Sequence, residues 1–251
     1  MSLDAAPAPV AIVTGGTRGI GRAIAGRLHR DGFAVLVVHS GSGEDAASLA
    51  AALHRDDRPL RALRIDVADP SAPEAIFDTA DALGPVAVLV NNAGVTGRLG
   101  PIDALGDDEL QRVVATNLVA PVRLCREAAR RWQGRDAPSH IVNISSVAAR
   151  TGSPGEYVAY AATKAALDTL TIGLARELAP HRVHVNAVAP GTIDTGIHAR
   201  AGQSDRAARV AERIALKRPG QPDEIANAVA WLVSGEASYV TGSVLEVTGG
   251  L

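Results

Sequence analysis

The stretch VAIVTGGTRGIG, from Val10 to Gly21, gives the strongest indication of the fold. It begins with an apolar, largely β-branched run that predicts a buried strand, and its glycines predict a tight turn. A helical pattern follows over residues 20–30. Glycine lets the backbone approach a pyrophosphate closely, and the free N–H groups of a helix N-terminus favour its charge. The stretch therefore predicts a phosphate cradle, residues 14–21, at the start of a βαβ unit.

Six further apolar runs of strand length follow along the chain. They cover residues 34–38, 60–65, 86–90, 140–144, 183–188 and 244–247. The stretches between them are longer and contain helical patterns, which are clearest at 107–132, 157–178 and 222–232. Strands that are apolar almost throughout are typical of a parallel sheet covered by helices on both faces.

The sequence thus predicts one α/β domain over residues 1–251, a doubly wound three-layer sandwich around a seven-stranded parallel sheet. No repeat or low-complexity linker divides the chain. We expect a flexible N-terminus over residues 1–8. We also expect a lid over the site at residues 192–219, a glycine-containing polar stretch that follows the sixth strand.

Composition excludes several classes of protein. Of the 251 residues, 47% are hydrophobic and 21% are charged, as in an ordinary soluble protein with a full core. A net charge of −2 provides no general basic field for nucleic acid. The single cysteine, Cys125, can form no internal disulfide, and no Cys/His spacing is typical of a metal site. We find no signal peptide or membrane-spanning run, so we expect a cytoplasmic protein.

Tyr160 and Lys164 form a Tyr-x-x-x-Lys step in the predicted helix 157–178, downstream of Ser145 and Ser146. Side chains four residues apart lie on the same helix face, so the Lys164 ammonium is expected near the Tyr160 phenol. A neighbouring positive charge lowers the pKa of a phenol. We therefore expect Tyr160 to exchange protons near neutral pH.

The end of the second strand favours NADP over NAD. Sites that prefer NAD usually carry an acidic residue there, which binds the ribose 2′-hydroxyl. This chain has His39, Ser40, Gly41 and Ser42 instead, and Arg18 in the cradle could pair with a 2′-phosphate. The alternative is that Arg18 is a solvated surface residue.

Asp66 follows the third strand and allows two interpretations. Its carboxylate could accept a hydrogen bond from the adenine amino group of a dinucleotide. It could equally cap the helix that is expected to begin near Pro70.

A set of short motifs, in this order along the chain, resembles the short-chain dehydrogenase/reductase family. The motifs are the cradle, Asn91-Asn92-Ala93-Gly94, Asn117, Ser146, Tyr160-x-x-x-Lys164 and Pro190-Gly191. The resemblance runs from Val10 to Leu251, and residues 146–174 are most similar to bacterial sugar-dehydrogenase-like and other NADP-preferring reductases. It implies a Rossmann-type fold, a nicotinamide cofactor and hydride transfer between a secondary alcohol and a ketone or aldehyde.

The resemblance also implies four catalytic residues. Tyr160 would donate a proton to the carbonyl oxygen in reduction and act as base in oxidation. Ser146 would hold the reacting oxygen, although the stretch between Ser146 and Tyr160 is longer than the family's usual one, which leaves Ser145 as an alternative. Lys164 would lower the pKa of Tyr160 and bind the nicotinamide ribose. Asn117 would support a water that connects Lys164 to bulk solvent.

The cofactor-binding residues that we expect lie at the ends of the strands. They are Gly15, Thr17, Arg18, Gly19, Ile20, Gly21, Ser40, Asp66, Val67, Asn92, Ala93, Gly94, Tyr160, Lys164, Pro190, Gly191, Ile193 and Thr195. Asn92 and Gly94 would contact the adenosine ribose and pyrophosphate through their backbone, the Ile193 backbone would reach the nicotinamide carboxamide, and Thr195 would lie near the phosphates. Plain turns are the competing explanation for the Asn-Asn-Ala-Gly and Pro-Gly motifs.

The predicted substrate is a small-molecule alcohol or carbonyl compound: a sugar, a 3-oxoacyl thioester on a carrier, or a small ketone. Family resemblance implies a homotetramer. A cluster of arginines at 123, 126, 130 and 131, with Arg176, could attract an acidic acyl carrier protein, but such a cluster is more often a solvated face. An alternative function is an NADP(H)-sensing protein that has kept the fold and lost turnover.

Overall fold

A computed structural model of the chain describes residues 7–41, 43–53, 58–195 and 212–251. Its strands form one parallel sheet in the order β3-β2-β1-β4-β5-β6-β7. They are β1 Val10–Thr14, β2 Ala34–His39, β3 Leu60–Arg64, β4 Val86–Asn91, β5 Ser139–Ile144, β6 Val183–Pro190 and β7 Val244–Val247. All seven predicted strands are present, so the predicted sheet is confirmed.

Helices occupy most of the chain between the strands. They are α1 Gly19–Arg30, α2 Gly43–Ala52, α3 Ala72–Asp81, α4 Asp107–Val114, α5 Ala120–Arg131, α6 Ala148–Thr151, α7 Val158–Leu178 and α8 Pro222–Leu232. The predicted helix 107–132 is interrupted, because a π-helical turn at Ala115–Val119 separates α4 from α5. Helix α3 begins at Ala72, two residues after Pro70 and so near its predicted start.

The two faces of the sheet bury separate apolar cores, which confirms the doubly wound arrangement. Successive residues of a strand point to opposite faces, so Ile12 packs against Phe77 and Leu124 on one side while Val13 packs with Ile24 and Ile225 on the other. Helices α3, α5 and α7 cover the first face, and α1 and α8 cover the second. Because both faces are covered, the strands can be apolar along their whole length.

The strand order positions the site. From β1 the sheet continues through β2 and β3 in one direction and through β4 to β7 in the other. The connections after β1 and β4 therefore leave the sheet on opposite sides and open a crevice at its carboxyl edge, where ligands bind in such folds. The cradle follows β1, and Asn92 follows β4, so the two motifs meet at this crevice.

Parts of two predicted flexible segments lie outside the described residues. Of the expected N-terminal segment, residues 1–6 are outside, whereas Ala8 packs against the core. Of the expected lid, residues 196–211 are outside. The described ends of the lid region are joined, because Ile193 forms a parallel β-bridge with Gly220 and the Asp194 N–H donates to the Gly220 carbonyl at 2.8 Å.

Candidate active site

The cradle is a tight turn that only glycine can form at two of its positions. Gly15 has a φ of +64°, a conformation that residues with a side chain rarely adopt. A Cβ atom on Gly21 would lie 2.2 Å from the Gly15 carbonyl oxygen and 2.5 Å from Nδ2 of Asn92. The turn therefore folds directly onto the start of α1, which brings the N-terminus of the helix to the carboxyl edge of the sheet.

Two polar side chains hold the cradle against the end of β4. The Thr14 hydroxyl accepts hydrogen bonds from the backbone N–H groups of Asn92 and Ala93, each at 3.0 Å. In return, Nδ2 of Asn92 donates to the carbonyl oxygens of Thr14 at 2.8 Å and Gly15 at 3.2 Å. The Asn92 side chain thus has a structural task besides the predicted backbone contact. Thr14 was predicted only as the first residue of the cradle, and this contact with β4 was not predicted, although Thr14 is the one polar residue at the end of an otherwise apolar strand.

The side chain of Arg18 extends from the cradle to the end of β2, where a ribose 2′-phosphate was predicted to bind. A Cβ atom on Gly41 would lie 3.5 Å from a terminal nitrogen of Arg18, and the Ser40 side chain is exposed beside it. The Arg18 guanidinium also forms an ion pair with Asp45 of α2 at 3.3 Å, with both side chains about half exposed. The sequence prediction did not include this acidic neighbour.

The other predicted cofactor residues are mostly placed at the same edge. Gly19 has a φ of +51°, and a Cβ atom added to it would lie 3.5 Å from Thr195. Thr195, in the region of the expected lid, therefore lies next to the cradle. Gly191 packs on the backbone of Thr248, and Ile193 is buried. Thr17 and Val67 are also buried, Ile20 packs against the core, and the Pro190 carbonyl accepts a hydrogen bond from the Val147 N–H at 2.9 Å.

Asp66 does not cap α3, whose N-cap residue is Ser71, and its predicted contact with the adenine amino group stays a prediction. One carboxylate oxygen accepts a hydrogen bond from the Ala68 N–H at 2.9 Å. The side chain therefore stabilises the turn that leads to α3, although the helix itself begins only at Ala72.

Helix α7 brings Tyr160 next to Ser146. The Ser146 hydroxyl lies close enough to the phenol to lower the pKa of Tyr160, and it accepts a hydrogen bond from the Ala148 N–H at 3.1 Å. Ser145 is buried, and its hydroxyl donates instead to the Lys164 carbonyl at 3.3 Å. The two adjacent serines thus point to different partners, and Ser146 is the one that reaches the phenol.

Lys164 is a buried cation beside Tyr160. Its Nζ atom donates a hydrogen bond to the Ile144 carbonyl at 2.7 Å and lies 5.6 Å from the centre of the Tyr160 ring. Burial lowers the pKa of Lys164 to about 8, and the Asp168 carboxylate opposes this shift. The predicted proximity of the two side chains is therefore present.

The predicted lowering of the Tyr160 pKa is wrong for the protein in this state. Burial raises the pKa of the phenol to about 12, the Ser146 contact lowers it, and neighbouring Tyr157 raises it further. The two tyrosine rings pack edge to face, with centroids 5.4 Å apart. Because desolvation disfavours the phenolate, the nearby ammonium does not by itself lower the pKa of the phenol to near neutral pH.

Asn117 lies at the π-helical turn and is fully buried. Its side chain accepts from the Val95 N–H at 2.9 Å and donates to the Val95 carbonyl at 2.8 Å, which fixes the loop after β4. A Cβ atom on Gly94 would be 3.3 Å from Oδ1 of Asn117 and 3.7 Å from Nζ of Lys164. Asn117, Lys164 and the loop after β4 are therefore in close contact.

Thr163 is a site residue that the sequence prediction missed. Its hydroxyl accepts a hydrogen bond from the Asn117 side chain at 3.3 Å and donates to the Tyr160 carbonyl at 2.7 Å. It thereby connects the π-helical turn to α7. Its position directly before Lys164, inside the Tyr-x-x-x-Lys step, is the signal that could have identified it.

A cleft of about 610 Å³ opens beside Tyr160. It is lined by residues 96–102, 104–106, 108, 109, 113 and 156–160. Its volume is in the range of pockets that enclose small organic ligands. Tyr160 is among the residues that line this cleft, whereas Ser146 is not.

Residues 7–41, 43–53, 58–195 and 212–251 contain no group of three or more potential metal-ligating side chains. No helix in these same ranges has the length and apolarity required to cross a bilayer.

Comparisons with known proteins agree with this arrangement. A family sequence profile described as enoyl-(acyl carrier protein) reductase matches residues 15–251. The chain is 42% identical over 244 residues to the uncharacterized oxidoreductase YgfF of Escherichia coli K12, covering 96% of this chain and 99% of that protein. It is 37% identical over 243 residues to the 3-oxoacyl-[acyl-carrier-protein] reductase FabG of Vibrio harveyi, covering 96% of each.

Among solved structures, a short-chain dehydrogenase from Burkholderia cenocepacia J2315 in complex with NADP superposes with a TM-score of 0.88. It is 35% identical in sequence, and the match covers 96% of this chain and 97% of that one. The resemblance predicted from the motifs is therefore confirmed along nearly the whole length of the chain. With its parallel sheet, glycine cradle and Tyr-x-x-x-Lys helix, the chain belongs to the short-chain dehydrogenase/reductase family.

Proposed function

We propose that the protein is an NADP(H)-dependent oxidoreductase that interconverts a secondary alcohol and a ketone or aldehyde, with Tyr160 as general acid and base. The observation that carries this proposal is the arrangement of Tyr160, which lines the cleft, beside the Ser146 hydroxyl and the buried Lys164. Two neighbouring hydroxyls can bind one carbonyl oxygen, and one of them can deliver a proton to it.

Each residue has a separate part in the proposed reaction. When bound, the cofactor supplies or accepts the hydride. Tyr160 donates its proton to the carbonyl oxygen in reduction and removes the hydroxyl proton in oxidation, while Ser146 holds that oxygen. Because burial raises the pKa of Tyr160 to about 12, the phenolate that is left after proton donation needs a nearby positive charge. Lys164 provides that charge below about pH 8.

The cradle fits a dinucleotide, and Arg18 supports NADP over NAD. Gly15 and Gly21 leave the backbone free of side chains where a pyrophosphate would bind at the N-terminus of α1. Arg18 lies beside Gly41 at the end of β2 and is the cation that would pair with a 2′-phosphate. The NADP complex of the Burkholderia cenocepacia relative supports the same cofactor. We further propose that Asn92, Gly94, Ile193 and Thr195 contact the cofactor as the resemblance implies.

The test is oxidation of NADPH and NADH by the purified protein with 3-oxoacyl thioesters, diketones, aldehydes and keto sugars, together with NADP⁺-dependent oxidation of sugars. Tyr160→Phe should reduce turnover by about 100-fold to 10,000-fold while NADPH binding is kept. Tyr239→Phe is the matched control, because Tyr239 is fully exposed. Full turnover in Tyr160→Phe would contradict the proposed role. Tight NADPH binding without turnover of any substrate would favour the sensing protein instead.

Three substrate classes remain candidates: a sugar, a 3-oxoacyl thioester and a small ketone. The Vibrio harveyi relative supports the thioester, and exposed arginines on α5 and α7 offer a surface for its acidic carrier. Charge reversal at Arg130 and Arg176 tests this alternative. If the carrier-bound thioester is the substrate, the double variant should lose turnover with that thioester and keep turnover with a free small ketone.

We also propose that the protein is a cytoplasmic homotetramer. Helices α5, α7 and α8 expose Val122, Ile172 and Trp231, each by more than a third of the side chain, and Tyr239 is fully exposed. Apolar residues on these faces are available for contacts with symmetry mates. Light scattering coupled to size-exclusion chromatography measures the assembly, and a monomeric mass at micromolar concentration would contradict it.

A further inference from the structure

The cleft beside Tyr160 presents large apolar side chains to its interior. Ile102 is 63% exposed and Val158 is 39% exposed, although both line this concave site. Exposed apolar side chains that are gathered in a cleft are typical of sites that bind an apolar ligand. Three more apolar side chains belong to the same lining: Leu99, Leu105 and Val113.

Two of the polar side chains in the lining are engaged in holding its own loop. The Thr96 hydroxyl donates to the Gly97 carbonyl at 3.0 Å. One carboxylate oxygen of Glu109 accepts a hydrogen bond from the Arg98 N–H at 2.7 Å and lies 3.5 Å from the guanidinium of Arg112. A sugar has several hydroxyls, and each needs a hydrogen-bond partner when it leaves water. Because Thr96 and Glu109 are already engaged, the cleft is poorly suited to a substrate with many hydroxyls.

The charged residues of the lining are mostly acidic. Among the residues that the structure describes, Asp108, Glu109 and Glu156 line the cleft together with Arg98, which sets three carboxylates against one guanidinium. A cleft with an excess of one charge repels ligands of the same sign. This balance disfavours an anionic substrate, and also one that an acidic carrier protein presents.

The two walls of the cleft are joined to each other and to the proton donor. The Gly100 N–H, in the loop after β4, donates to the Glu156 carbonyl at 2.8 Å, just before α7. The ring of Tyr157, which also lines the cleft, packs edge to face on the Tyr160 ring with centroids 5.4 Å apart. The apolar wall is therefore held in a fixed position beside the phenol, as a preformed binding site requires.

We infer that the substrate is an uncharged ketone with an apolar body, and that Ile102 and Val158 determine the specificity for it. The apolar body packs against these two side chains while the carbonyl oxygen lies at Tyr160. The inference selects the small ketone from the three candidate classes. It deepens the proposed function and rests on it, because the cleft is a substrate site only if Tyr160 transfers the proton.

The test compares four ketones that share one ring and one reactive carbonyl: cyclohexanone, 4-tert-butylcyclohexanone, 4-hydroxycyclohexanone and 4-oxocyclohexanecarboxylate. For each, kcat/KM is measured with NADPH at neutral pH. The tert-butyl compound should exceed cyclohexanone by about tenfold or more, because it buries more apolar surface. The hydroxyl compound should not exceed cyclohexanone, and the carboxylate should be lowest. If the hydroxyl compound or the carboxylate is reduced faster than the tert-butyl compound, the inference is overturned.

Two substitutions in the cleft locate the preference. Ile102→Thr and Val158→Thr each introduce a hydroxyl into the apolar wall, and each should lower the ratio of kcat/KM for the tert-butyl compound over cyclohexanone by about threefold to tenfold. Leu110→Thr is the matched control, because Leu110 is an exposed apolar residue of α4 that is not part of the lining. It should keep the parent ratio. An unchanged ratio in both cleft variants would contradict the role of this wall.

Tyr160→Phe separates failure of this inference from failure of the proposed function. If Tyr160→Phe reduces the preferred substrate as fast as the parent protein does, or if the parent protein reduces no substrate, the proposed function fails and this inference fails with it. If turnover depends on Tyr160 but a sugar or a carrier-bound thioester exceeds all four ketones in kcat/KM, this inference alone fails.

Discussion

The cradle and the catalytic helix lie at the same edge of the sheet but work in different ways. The cradle acts through its backbone: Gly15 has a positive φ, and Gly21 has no space for a Cβ atom. Helix α7, which carries Tyr160 and Lys164, acts through side-chain charge, with Lys164 buried and Tyr160 partly buried. Steric constraints of the first kind depend on spacing in the sequence. The charges of the second kind depend on burial, which is a property of the assembled fold.

This difference predicts how each region responds to substitution. A change in the cradle should alter stability and cofactor binding together, because the atoms that form the turn are the ones proposed to contact the pyrophosphate. A change in the catalytic helix should alter the rate and its pH dependence while the fold persists.

The largest effect is expected for Gly21→Ala. The added methyl group would lie 2.2 Å from the Gly15 carbonyl oxygen, so the backbone must move, at a cost of about 3 kcal/mol or more in unfolding free energy. NADPH binding should be lost as well. Urea denaturation and fluorescence titration with NADPH measure the two effects.

Gly26→Ala is the matched control, because it changes the same residue type in the same helix. Its Cβ atom would meet Arg30 and Leu53 at 3.6 Å, which is ordinary contact. Since alanine favours a helix over glycine, this variant should gain about 0.5–1 kcal/mol and bind NADPH normally. Equal stability of the two variants would contradict the steric account of the cradle.

A pair of isosteric substitutions compares the two regions directly. Thr14→Val removes the acceptor of the Asn92 and Ala93 N–H groups and should cost about 2–3 kcal/mol of stability, with weaker NADPH binding. Thr163→Val removes one contact from Asn117 and one from the Tyr160 carbonyl, and should cost about 1 kcal/mol while lowering kcat. Denaturation and steady-state kinetics of both variants are required. If Thr163→Val weakened NADPH binding more than Thr14→Val, the assignment of cofactor binding to the cradle and of catalytic rate to α7 would be wrong.

The pH dependence of the reaction tests the electrostatic half of the comparison. The pKa of Lys164 is about 8 and that of Tyr160 is about 12, so Lys164 loses its proton first as the pH rises. The charged lysine is present below pH 8, and kcat/KM for carbonyl reduction should therefore fall by up to about tenfold per pH unit above that value. Rates between pH 6 and pH 9.5 with saturating NADPH check this. A flat profile up to pH 9.5 would show that the Lys164 charge is not required.

Much of this architecture can be predicted from the sequence. The features that could not be predicted share one physical cause. All seven strands follow from apolar runs, because a doubly covered parallel sheet requires them. Glycine spacing predicted the cradle, and helical periodicity predicted that Lys164 lies beside Tyr160. The π-helical turn around Asn117, the Asp45 partner of Arg18 and the raised pKa of Tyr160 were not predictable. Each depends on which groups from distant parts of the chain are packed together or removed from water.

The smallest effect is expected for the exposed ion pair between Arg18 of the cradle and Asp45 of α2. Arg18→Ala should weaken NADPH binding about tenfold and leave NADH binding unchanged, because only NADPH carries the 2′-phosphate. Asp45→Asn releases Arg18 from its exposed ion pair and removes a negative charge, so NADPH binding should tighten, by no more than about fivefold. Fluorescence titrations with both cofactors provide the four dissociation constants. Equal weakening for NADPH and NADH in Arg18→Ala would mean that Arg18 binds the pyrophosphate shared by both cofactors, and the preference would then have to arise elsewhere at the end of β2.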